Sequence, residues 1–290
     1  MKIIILVPIY NDWQSASKLI EEINSKVSGL DIQFSIILVN DASTEQQSIH
    51  VPNLENLQSV KIINMKENRG HARCIASGLK YISEKEEFDY VIPMDGDGED
   101  RPEEIKNFVE YLKYTSDKPI VGERVKRSET LFFKFCYSVH KILTFAFTGQ
   151  AIKFGNYTCL PKSSIEKMIN DKATWSSFSG ALTKLEKARS TVPSIRGSRY
   201  FGPSKMSFKN LIIHSLAIIS VFKINVLVRS ILFLLVYVFL IHQNITLIML
   251  IPIPLVILLL ILVFLISKRE NLSELNNSLS NISNIDSIKN

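Results

Sequence analysis

The chain has 290 residues, of which 46% are hydrophobic and 21% are charged, and its formal net charge at pH 7 is +6. This length allows one large domain with an appendage, and the hydrophobic fraction is high for a water-soluble protein. The three cysteines lie far apart without the spacing of metal ligands, and their odd number argues against a small disulfide-rich secreted fold.

Charge is distributed unevenly along the chain. Residues 1–100 contain 9 basic residues (Lys and Arg) and 16 acidic residues (Asp and Glu). Residues 101–229 contain 22 basic and 9 acidic residues, and residues 230–290 contain 3 of each. The acidic first part suits a metal site, and the basic middle part suits anionic headgroups or a lipid phosphate. No nucleic-acid partner is expected, because the basic residues lead into an apolar segment and no nucleic-acid-binding module is recognisable.

The first hundred residues alternate apolar strands with helices. Strands are predicted at residues 3–9, 34–39, 60–64 and 90–94, and helices at residues 14–27 and from the end of the segment 68–73 to about residue 81. Each strand is apolar throughout and is followed by polar residues, which predicts a parallel sheet with helices on both faces. The loops 10–12, 40–44 and 95–100 would then meet at one edge of the sheet, where open α/β sheets bind nucleotides. Neither a Gly-x-Gly-x-x-Gly nor a Walker A motif is present, which excludes the usual dinucleotide and P-loop folds.

The loop after the fourth strand is strongly acidic. Its carboxylates, with Gly96 and Gly98 between them, are Asp95, Asp97, Glu99 and Asp100. In an extended or tightly turned loop the side chains at alternate positions lie on one side, where a hard divalent cation would relieve their repulsion. The alternative is a solvated acidic turn or a helix N-cap. The strand before the loop and the helix start after it favour a binding site.

The middle of the chain is basic and aromatic. A helix is predicted to about residue 114 and a short strand at 120–122, followed by an aromatic-rich segment at 130–148. That segment has two interpretations, a core helix that packs its aromatic side chains or a helix that lies against a membrane and presents lysines to the headgroups. Isolated histidines such as His71 are expected to pack or to contact headgroups rather than to bind metal.

The last third of the chain has the composition of a membrane anchor, since residues 230–267 include no Asp, Glu, Lys or Arg. An amphipathic interfacial helix is predicted at 207–224, and a hairpin of two spans at 225–241 and 245–266, with Pro252 and Pro254 kinking the second span or marking its start. Lys and Arg flank the hairpin but are absent from its turn, so both ends should be cytoplasmic. Residues 268–290 are expected to be a weak surface helix or a disordered tail. Such a hairpin often packs against copies of itself, so a homo-oligomer is an expected partner.

Four ordered motifs resemble those of a known family. They are Val-Pro-Ile-Tyr-Asn-Asp at 7–12, Val-Asn-Asp-Ala-Ser-Thr at 39–44, Asn-Arg-Gly at 68–70 and Met-Asp-Gly-Asp-Gly-Glu-Asp-Arg-Pro-Glu at 94–103. Together they resemble the family 2 glycosyltransferases, which have the GT-A fold. The later Arg199-x-x-Gly-x-Ser-Lys205 pattern and the paired apolar spans are similar to the branch that includes dolichol-phosphate mannose synthase and bacterial polyprenyl-phosphate glycosyltransferases.

The resemblance implies a Rossmann-like GT-A catalytic domain at residues 1–206, with a mostly parallel sheet and helices on both faces. It implies a membrane-bound, inverting enzyme that uses Mg²⁺ or Mn²⁺ and moves a sugar from a nucleotide-diphosphate sugar to a polyprenyl phosphate. In a bacterium its membrane would be the inner or plasma membrane, with the catalytic domain and the tail on the cytoplasmic side.

The resemblance also implies roles for individual residues. The nucleotide site would be lined by Pro8, Tyr10, Asp12 and Asp41, with Asp41 on the base. The sugar-nucleotide and metal site would hold Asp95, Asp97 and Glu99, of which Asp97 and Glu99 would bind the metal. Catalysis would depend on Asp95, Asp97 and Arg124. The lipid phosphate would contact Arg124, Lys134, Arg199, Ser204 and Lys205. Two positions depart from the branch, which usually has glutamine at 99 and arginine at 134.

Two other functions fit the same motifs. One is a family 2 transferase that acts on a hydroxyl of a surface glycan or lipid-linked oligosaccharide. Such enzymes usually carry an acidic base in a later Glu-Asp motif, whereas residues 160–200 hold only Glu166, Asp171 and Glu186, none of them in such a pair. The other is a catalytically silent membrane-bound scaffold, against which the intact acidic loop argues.

Overall fold

The computed structural model describes residues 1–51, 53–115, 117–126, 131–203 and 207–289, and the side chains of residues 126, 131–137 and 140 lie outside this description. The elements of the first half are β1 (Lys2–Ile9), α1 (Trp13–Lys26), β2 (Gln33–Asn40), β3 (Ser59–Met65), α2 (His71–Lys85), β4 (Tyr90–Pro93), α3 (Ile105–Leu112), β5 (Ile120–Lys126) and α4 (Leu131–Thr148).

The second half is mainly helical. Its elements are β6 (Thr158–Pro161), α5 (Lys162–Ile169), α6 (Phe178–Leu185), β7 (Ser190–Ile195), α7 (Phe208–Ser220), α8 (Lys223–Ile241), α9 (Leu247–Leu250), α10 (Pro252–Ser267), α11 (Leu272–Asn276) and β8 (Ile282–Lys289). Short 3₁₀ turns precede α3, α6 and β8.

The strands form one mixed, mostly parallel sheet in the order β7, β5, β6, β4, β1, β2, β3, β8. Strand β1 is parallel to both β2 and β4, β2 is parallel to β3, and β5 is parallel to β7. Strand β6 runs antiparallel to β4 and β5, and β8 antiparallel to β3. The predicted α/β fold class is therefore confirmed.

The central strands are apolar throughout because both faces of the sheet are covered. Along β1, Ile3 and Ile5 belong to one buried cluster, which includes residues of α1 and α3. Ile4 and Leu6 point to the other face and belong to a second cluster with residues of α2, α5 and α6. Alternate side chains of a strand point to opposite faces, so a strand covered on both sides needs apolar residues at every position.

The C-terminal segment differs from its prediction. Residues 282–289 are not a disordered tail or a helix but form β8, which pairs with the edge strand β3. Within the described part of this segment, Leu272–Asn276 forms a short α-helix and Ser278–Asn281 a 3₁₀ turn. The backbone hydrogen bonds of a strand need no apolar sequence, so an Asn- and Ser-rich segment can add to an edge whose N–H and C=O groups would otherwise remain unpaired.

Two helical stretches, Lys223–Ile241 and Leu247–Asn276, have the length and apolar composition to cross a membrane. The second is interrupted directly before Pro252, where the sequence predicts a kink or a start. Most large apolar side chains of α8 and α10 are exposed, for example Phe239 at 71% and Leu240 at 72%. Val226 of α8 and Val263 of α10 are buried instead, where they pack with Ile219 of α7 and Phe147 of α4.

Helix α4 connects the sheet to the apolar hairpin. At its C-terminal end the carbonyl oxygens of Thr148 and Ala146 accept hydrogen bonds from Asn225 Nδ2 at 3.2 Å and Arg229 Nη1 at 3.1 Å. Ile142 and Phe145 of the same helix are 67% and 59% exposed. These two side chains therefore do not pack in a core, which favours the second interpretation of the aromatic segment.

Candidate active site

The acidic loop, residues 95–100, turns tightly over the carboxyl ends of β4 and β1. The Asp95 backbone N–H donates to Asp100 Oδ2 at 2.9 Å, and the Glu99 N–H donates to Asp97 Oδ1 at 3.0 Å. A Cβ atom at Gly96 would lie 3.4 Å from the carbonyl oxygen of Pro8. The loop thus lies directly against the strand that leads to the first predicted nucleotide motif.

A second loop, which we call the arginine loop (residues 196–200), packs on the acidic loop. The Arg196 guanidinium pairs with Glu99, and the Arg199 guanidinium pairs with Asp97. Arg199 Nη2 also lies 3.3 Å from Asp12 Oδ2. Backbone N–H groups of the arginine loop donate to the carbonyl oxygens of the acidic loop at 2.8 and 2.9 Å. Two predicted sites, the nucleotide site at Asp12 and the metal site at Asp97, are therefore joined by one arginine.

The arginine loop is anchored at both ends. Ser194 Oγ and the Ile195 backbone N–H, at the end of β7, donate to the buried Glu104 carboxylate at 2.7 and 2.8 Å. At the other end, the Tyr200 hydroxyl donates to Glu22 Oε2 on α1 at 2.6 Å. Arg196 has no predicted role, although it lies in a turn-rich segment of the sequence only three positions before Arg199.

Gly98 is required where the two loops touch. It has φ +88°, and a Cβ atom there would lie 2.6 Å from the Tyr200 ring. We expect Gly98→Ala to displace the arginine loop, and hence to increase trypsin cleavage after Arg196 and Arg199. Gly29→Ala is the matched control, because Gly29 has φ +76° but no atom within 4 Å of the added Cβ. Equal cleavage of the Gly98→Ala variant and the wild type would contradict the packing of the two loops.

The acidic loop has unusual electrostatics because its carboxylates are crowded and buried. Burial and the neighbouring Asp95 raise the pKa of Asp97 to about 6 and that of Asp100 to about 7. Burial would also raise the pKa of Asp95, but the nearby His71, Arg196 and Arg124 lower it below its usual value. The loop therefore combines one carboxylate with a lowered pKa, Asp95, and two with a raised pKa, Asp97 and Asp100.

Three side chains surround Asp95. Asn156 Nδ2 lies 3.3 Å from Asp95 Oδ1 and 2.7 Å from His71 Nε2, and His71 Nε2 lies 3.4 Å from the same Asp95 oxygen. Arg124 packs its guanidinium against Gly155, where an added Cβ atom would lie 2.6 Å from Arg124 Nη2. His71, which was expected to pack or to contact headgroups, thus reaches a predicted site residue, and Asn156 had no sequence signal.

The predicted nucleotide residues lie at the same edge of the sheet. Asp41, only 5% exposed, accepts the backbone N–H groups of Arg69 and Gly70 at 2.9 and 2.8 Å. Burial raises the pKa of Asp41 despite these two hydrogen bonds. Tyr10, directly after β1, is 44% exposed to solvent. Asp12 contacts Arg199, as described above.

Among the residues that the structure describes, no group of three or more His, Cys, Asp or Glu side chains is arranged to hold a metal ion. Asp97 and Glu99 are engaged by the two arginines instead. Their chemistry nevertheless fits Mg²⁺ or Mn²⁺, because hard cations prefer carboxylate oxygens and would relieve the crowding that raises the pKa of Asp97. Of the predicted phosphate contacts, Ser204, Lys205 and the Lys134 side chain lie outside the described residues.

The chain is similar to known proteins. The family described as "Glycosyl transferase family 2" matches residues 4–169. An undecaprenyl-phosphate 4-deoxy-4-formamido-L-arabinose transferase of Salmonella choleraesuis (strain SC-B67) is 27% identical over 218 residues, which are 73% of this chain. The match spans 64% of the length of that relative.

Solved structures share the fold. Glucosyl-3-phosphoglycerate synthase from Mycobacterium tuberculosis, in complex with Mn²⁺, uridine diphosphate and glucosyl-3-phosphoglycerate, superposes with a TM-score of 0.56 at 15% identity, covering 77% of this chain and 79% of the other. The same enzyme with Mg²⁺ and uridine diphosphate gives a TM-score of 0.52 at 14% identity, over 77% and 79% of the two chains. At these identities the likeness supports the fold alone.

Proposed function

This chain belongs to glycosyl transferase family 2, and from that premise we propose that it transfers a sugar from a nucleotide-diphosphate sugar to a polyprenyl phosphate at a membrane surface. The observation that carries the proposal is the location of Arg124. Its charge lowers the pKa of Asp95 in the acidic loop, and its strand, β5, precedes α4, which contacts the apolar hairpin. A cation therefore lies near the proposed donor site, on a strand that is followed in the chain by the helix that contacts the apolar hairpin.

The proposed donor site uses the loops at the carboxyl edge of the sheet. Tyr10, Asp12 and Asp41 would bind the nucleoside, and Asp95 would orient the sugar with support from Asn156. Asp97 and Glu99 would hold Mg²⁺ or Mn²⁺, which when bound neutralises the charge that develops on the leaving diphosphate. The solved structures with the same fold contain uridine diphosphate with Mn²⁺ or Mg²⁺, and we propose the same classes of donor and metal for this chain.

To bind the metal, Asp97 and Glu99 would exchange their arginine contacts for the cation. Arg196 and Arg199 remain beside the loop through the anchored ends of the arginine loop. Released from the carboxylates, their guanidinium groups are suited to the phosphate oxygens of the donor, which they can bind through two parallel N–H donors. Before the metal and the donor bind, the two arginines would thus balance the charge of the acidic loop. After binding, they would balance the charge of the donor diphosphate.

The proposed acceptor would need no general base, which agrees with the lack of a Glu-Asp motif in residues 160–200. A lipid phosphate is already ionised near neutral pH, so its oxygen can attack the anomeric carbon from the face opposite the diphosphate and invert that centre. Of the three carboxylates in residues 160–200, Asp171 pairs with Lys184 at 2.7 Å and Glu186 pairs with Lys167 at 2.9 Å. The third, Glu166, is exposed on α5. The undecaprenyl-phosphate transferase from Salmonella supports the same acceptor class.

We propose the corresponding organisation in the membrane. Residues 225–241 and 245–266 span the bilayer, residues 207–224 lie at its surface, and the catalytic domain (1–206) and residues 268–290 are cytoplasmic. The exposed apolar side chains of α8 and α10 support this proposal, because a water-exposed surface of this kind is unfavourable. The pairing of β8 with β3 is consistent with the catalytic domain and the C-terminal segment lying on the same side of the membrane.

The test is transfer of radiolabel from a panel of UDP- and GDP-sugars to undecaprenyl phosphate, using full-length protein in detergent with and without Mn²⁺ or Mg²⁺. An acid-labile labelled lipid formed only with metal is the expected result. An alkali-stable product without a phosphodiester would instead identify a hydroxyl acceptor. Nucleotide and metal binding without turnover of any donor would identify a scaffold.

Metal binding should depend on pH through Asp97. Because its pKa is raised to about 6, the proton competes with the cation at lower pH. We expect the affinity for Mn²⁺ to be constant above that pH and to fall below it by up to about ten-fold per pH unit. Titration of Mn²⁺ at pH 5, 6 and 7 measures this, and Asp97→Asn should bind Mn²⁺ weakly at all three pH values. A constant affinity across the three pH values would contradict the assignment of Asp97 as a metal ligand.

A further inference from the structure

A chain of side-chain hydrogen bonds connects the C-terminal strand to the proposed nucleotide loop. On β8, Asp286 Oδ2 accepts a hydrogen bond of 2.7 Å from Asn64 Nδ2 on β3. Asn64 Oδ1 accepts one of 2.8 Å from Asn40 Nδ2 at the end of β2. Asn40 Oδ1 then accepts the backbone N–H of Ser43 at 2.9 Å. We call Asp286, Asn64 and Asn40 the amide relay.

The carboxylate at one end fixes the orientation of both amides. An ionised Asp286 can only accept, so Asn64 must turn its NH₂ group to Asp286 and its oxygen to Asn40. Asn40 must then donate to Asn64, which leaves its own oxygen for the Ser43 N–H. If both amides flipped, two donors would face each other at Ser43, and Asn40 is only 8% exposed, so water could not compensate fully.

The turn at the other end of the relay depends on such contacts. Ala42 has φ +55°, a left-handed conformation that is unfavourable for a residue with a Cβ atom. The turn is held from one side by Asn11, whose Oδ1 accepts the Thr44 N–H at 2.8 Å and whose N–H donates to Ser43 Oγ at 2.8 Å. From the other side it is held by Asn40 of the relay.

We propose that Asp286 is a positioning residue for the donor nucleotide. Through the amide relay it holds residues 41–44 in the conformation that presents Asp41 to a nucleoside diphosphate. Asp286 itself need not touch the ligand, because it acts through two intervening side chains. The inference rests on the proposed function and adds to it a determinant of donor binding that follows the apolar hairpin in the chain and lies outside the matched residues 4–169.

The test measures nucleotide binding apart from chemistry. Full-length protein in detergent is titrated with a panel of nucleoside diphosphates, and KM and kcat are measured with the matching sugar donor. For Asp286→Ala we expect Kd and KM to rise roughly five- to twenty-fold, with kcat changed less than about two-fold. Asp286→Asn keeps an acceptor for Asn64, so its Kd should rise by no more than about three-fold.

Two further variants separate positioning from loss of the strand. Ile285→Ala is the matched control, because Ile285 is the neighbouring residue of β8, is 43% exposed and is outside the relay. It should bind like the wild type. Asn64→Ala breaks the relay in the middle, so adding Asp286→Ala to it should cause no further loss if Asp286 acts through Asn64.

The outcomes are distinct. Unchanged nucleotide binding by Asp286→Ala would overturn the inference while leaving the proposed function intact. The same conclusion follows if Asp286→Ala weakens binding further when it is added to Asn64→Ala. Equal weakening by Ile285→Ala would also overturn it, since that result indicates loss of β8 as a whole. If the wild type binds none of the nucleotides, the proposed function fails, and the inference fails with it.

Discussion

Asp97→Asn should reduce metal-dependent sugar transfer by roughly 1,000-fold or more, because a site for a developing diphosphate charge contributes several kcal/mol to catalysis. The substitution keeps the size of the side chain and the acceptor for the Glu99 N–H, which lies 3.0 Å from Asp97 Oδ1. It removes the negative charge that would bind the cation. It also removes the anionic partner of Arg199. The fold should therefore persist while the proposed metal site is lost.

The measurement is initial-rate transfer with saturating Mn²⁺, together with Mn²⁺ binding in the absence of donor. Asp31→Asn is the control, since Asp31 is an exposed carboxylate in the turn between α1 and β2. It should retain wild-type rates and metal affinity. Full activity of Asp97→Asn would remove the acidic loop from the mechanism. Lost activity with unchanged metal binding would move the ligand role to other residues.

The sequence was informative where one physical requirement dominates. Strands β1 and β2 are buried on both faces, so their uninterrupted apolar runs were sufficient to place them and the loops that follow. The acidic loop was equally clear, because crowded carboxylates are costly unless a ligand or cations neutralise them. The structure shows two arginines in that neutralising position, at Asp97 and Glu99.

The contacts made by the arginine loop could not be read from the sequence. Arg199 was assigned to a phosphate from the resemblance, and its pairing with Asp12 and Asp97 joins positions 187 and 102 residues apart. Such pairing depends on the position of the end of β7, where the arginine loop begins. That position depends in turn on the buried Glu104, which accepts a hydrogen bond from Ser194 of β7. No local periodicity reports a contact at that separation.

The C-terminal strand was missed for a different reason. Composition predicts a weak surface helix or a disordered tail, since Asn and Ser rarely build a core, yet β8 is stabilised by its partner strand and by specific polar contacts. Lys289 Nζ donates to the carbonyl oxygens of Leu54 and Leu57 at 2.8 and 2.5 Å. Glu274, earlier in the segment, accepts the Trp175 indole N–H at 2.6 Å. An edge strand of this kind is determined by the sheet that it joins, so its own sequence carries little signal.

Arg124→Ala should abolish lipid glycosylation, with a loss of about 100-fold or more, while nucleotide-sugar binding persists. The guanidinium lies beside Gly155 and is close enough to the acidic loop to lower the pKa of Asp95. A lipid phosphate brought to this position would be held between Arg124 and the donor, with its charge balanced during attack. The proposed nucleotide contacts lie on other loops, so donor affinity should change by no more than about three-fold.

Two variants make the experiment specific. Lys118→Ala removes an exposed cation that precedes the same strand and should behave like the wild type. Arg124→Lys keeps the charge without the planar pair of donors, so it should recover part of the transfer if the group binds phosphate. Loss of donor binding together with transfer in Arg124→Ala would show that Arg124 supports the acidic loop rather than the acceptor. If Arg124→Ala loses transfer but keeps donor binding, and Arg124→Lys restores part of the transfer, the acceptor phosphate binds at Arg124. This residue lies on β5, which is followed in the chain by α4, the helix that contacts the apolar hairpin.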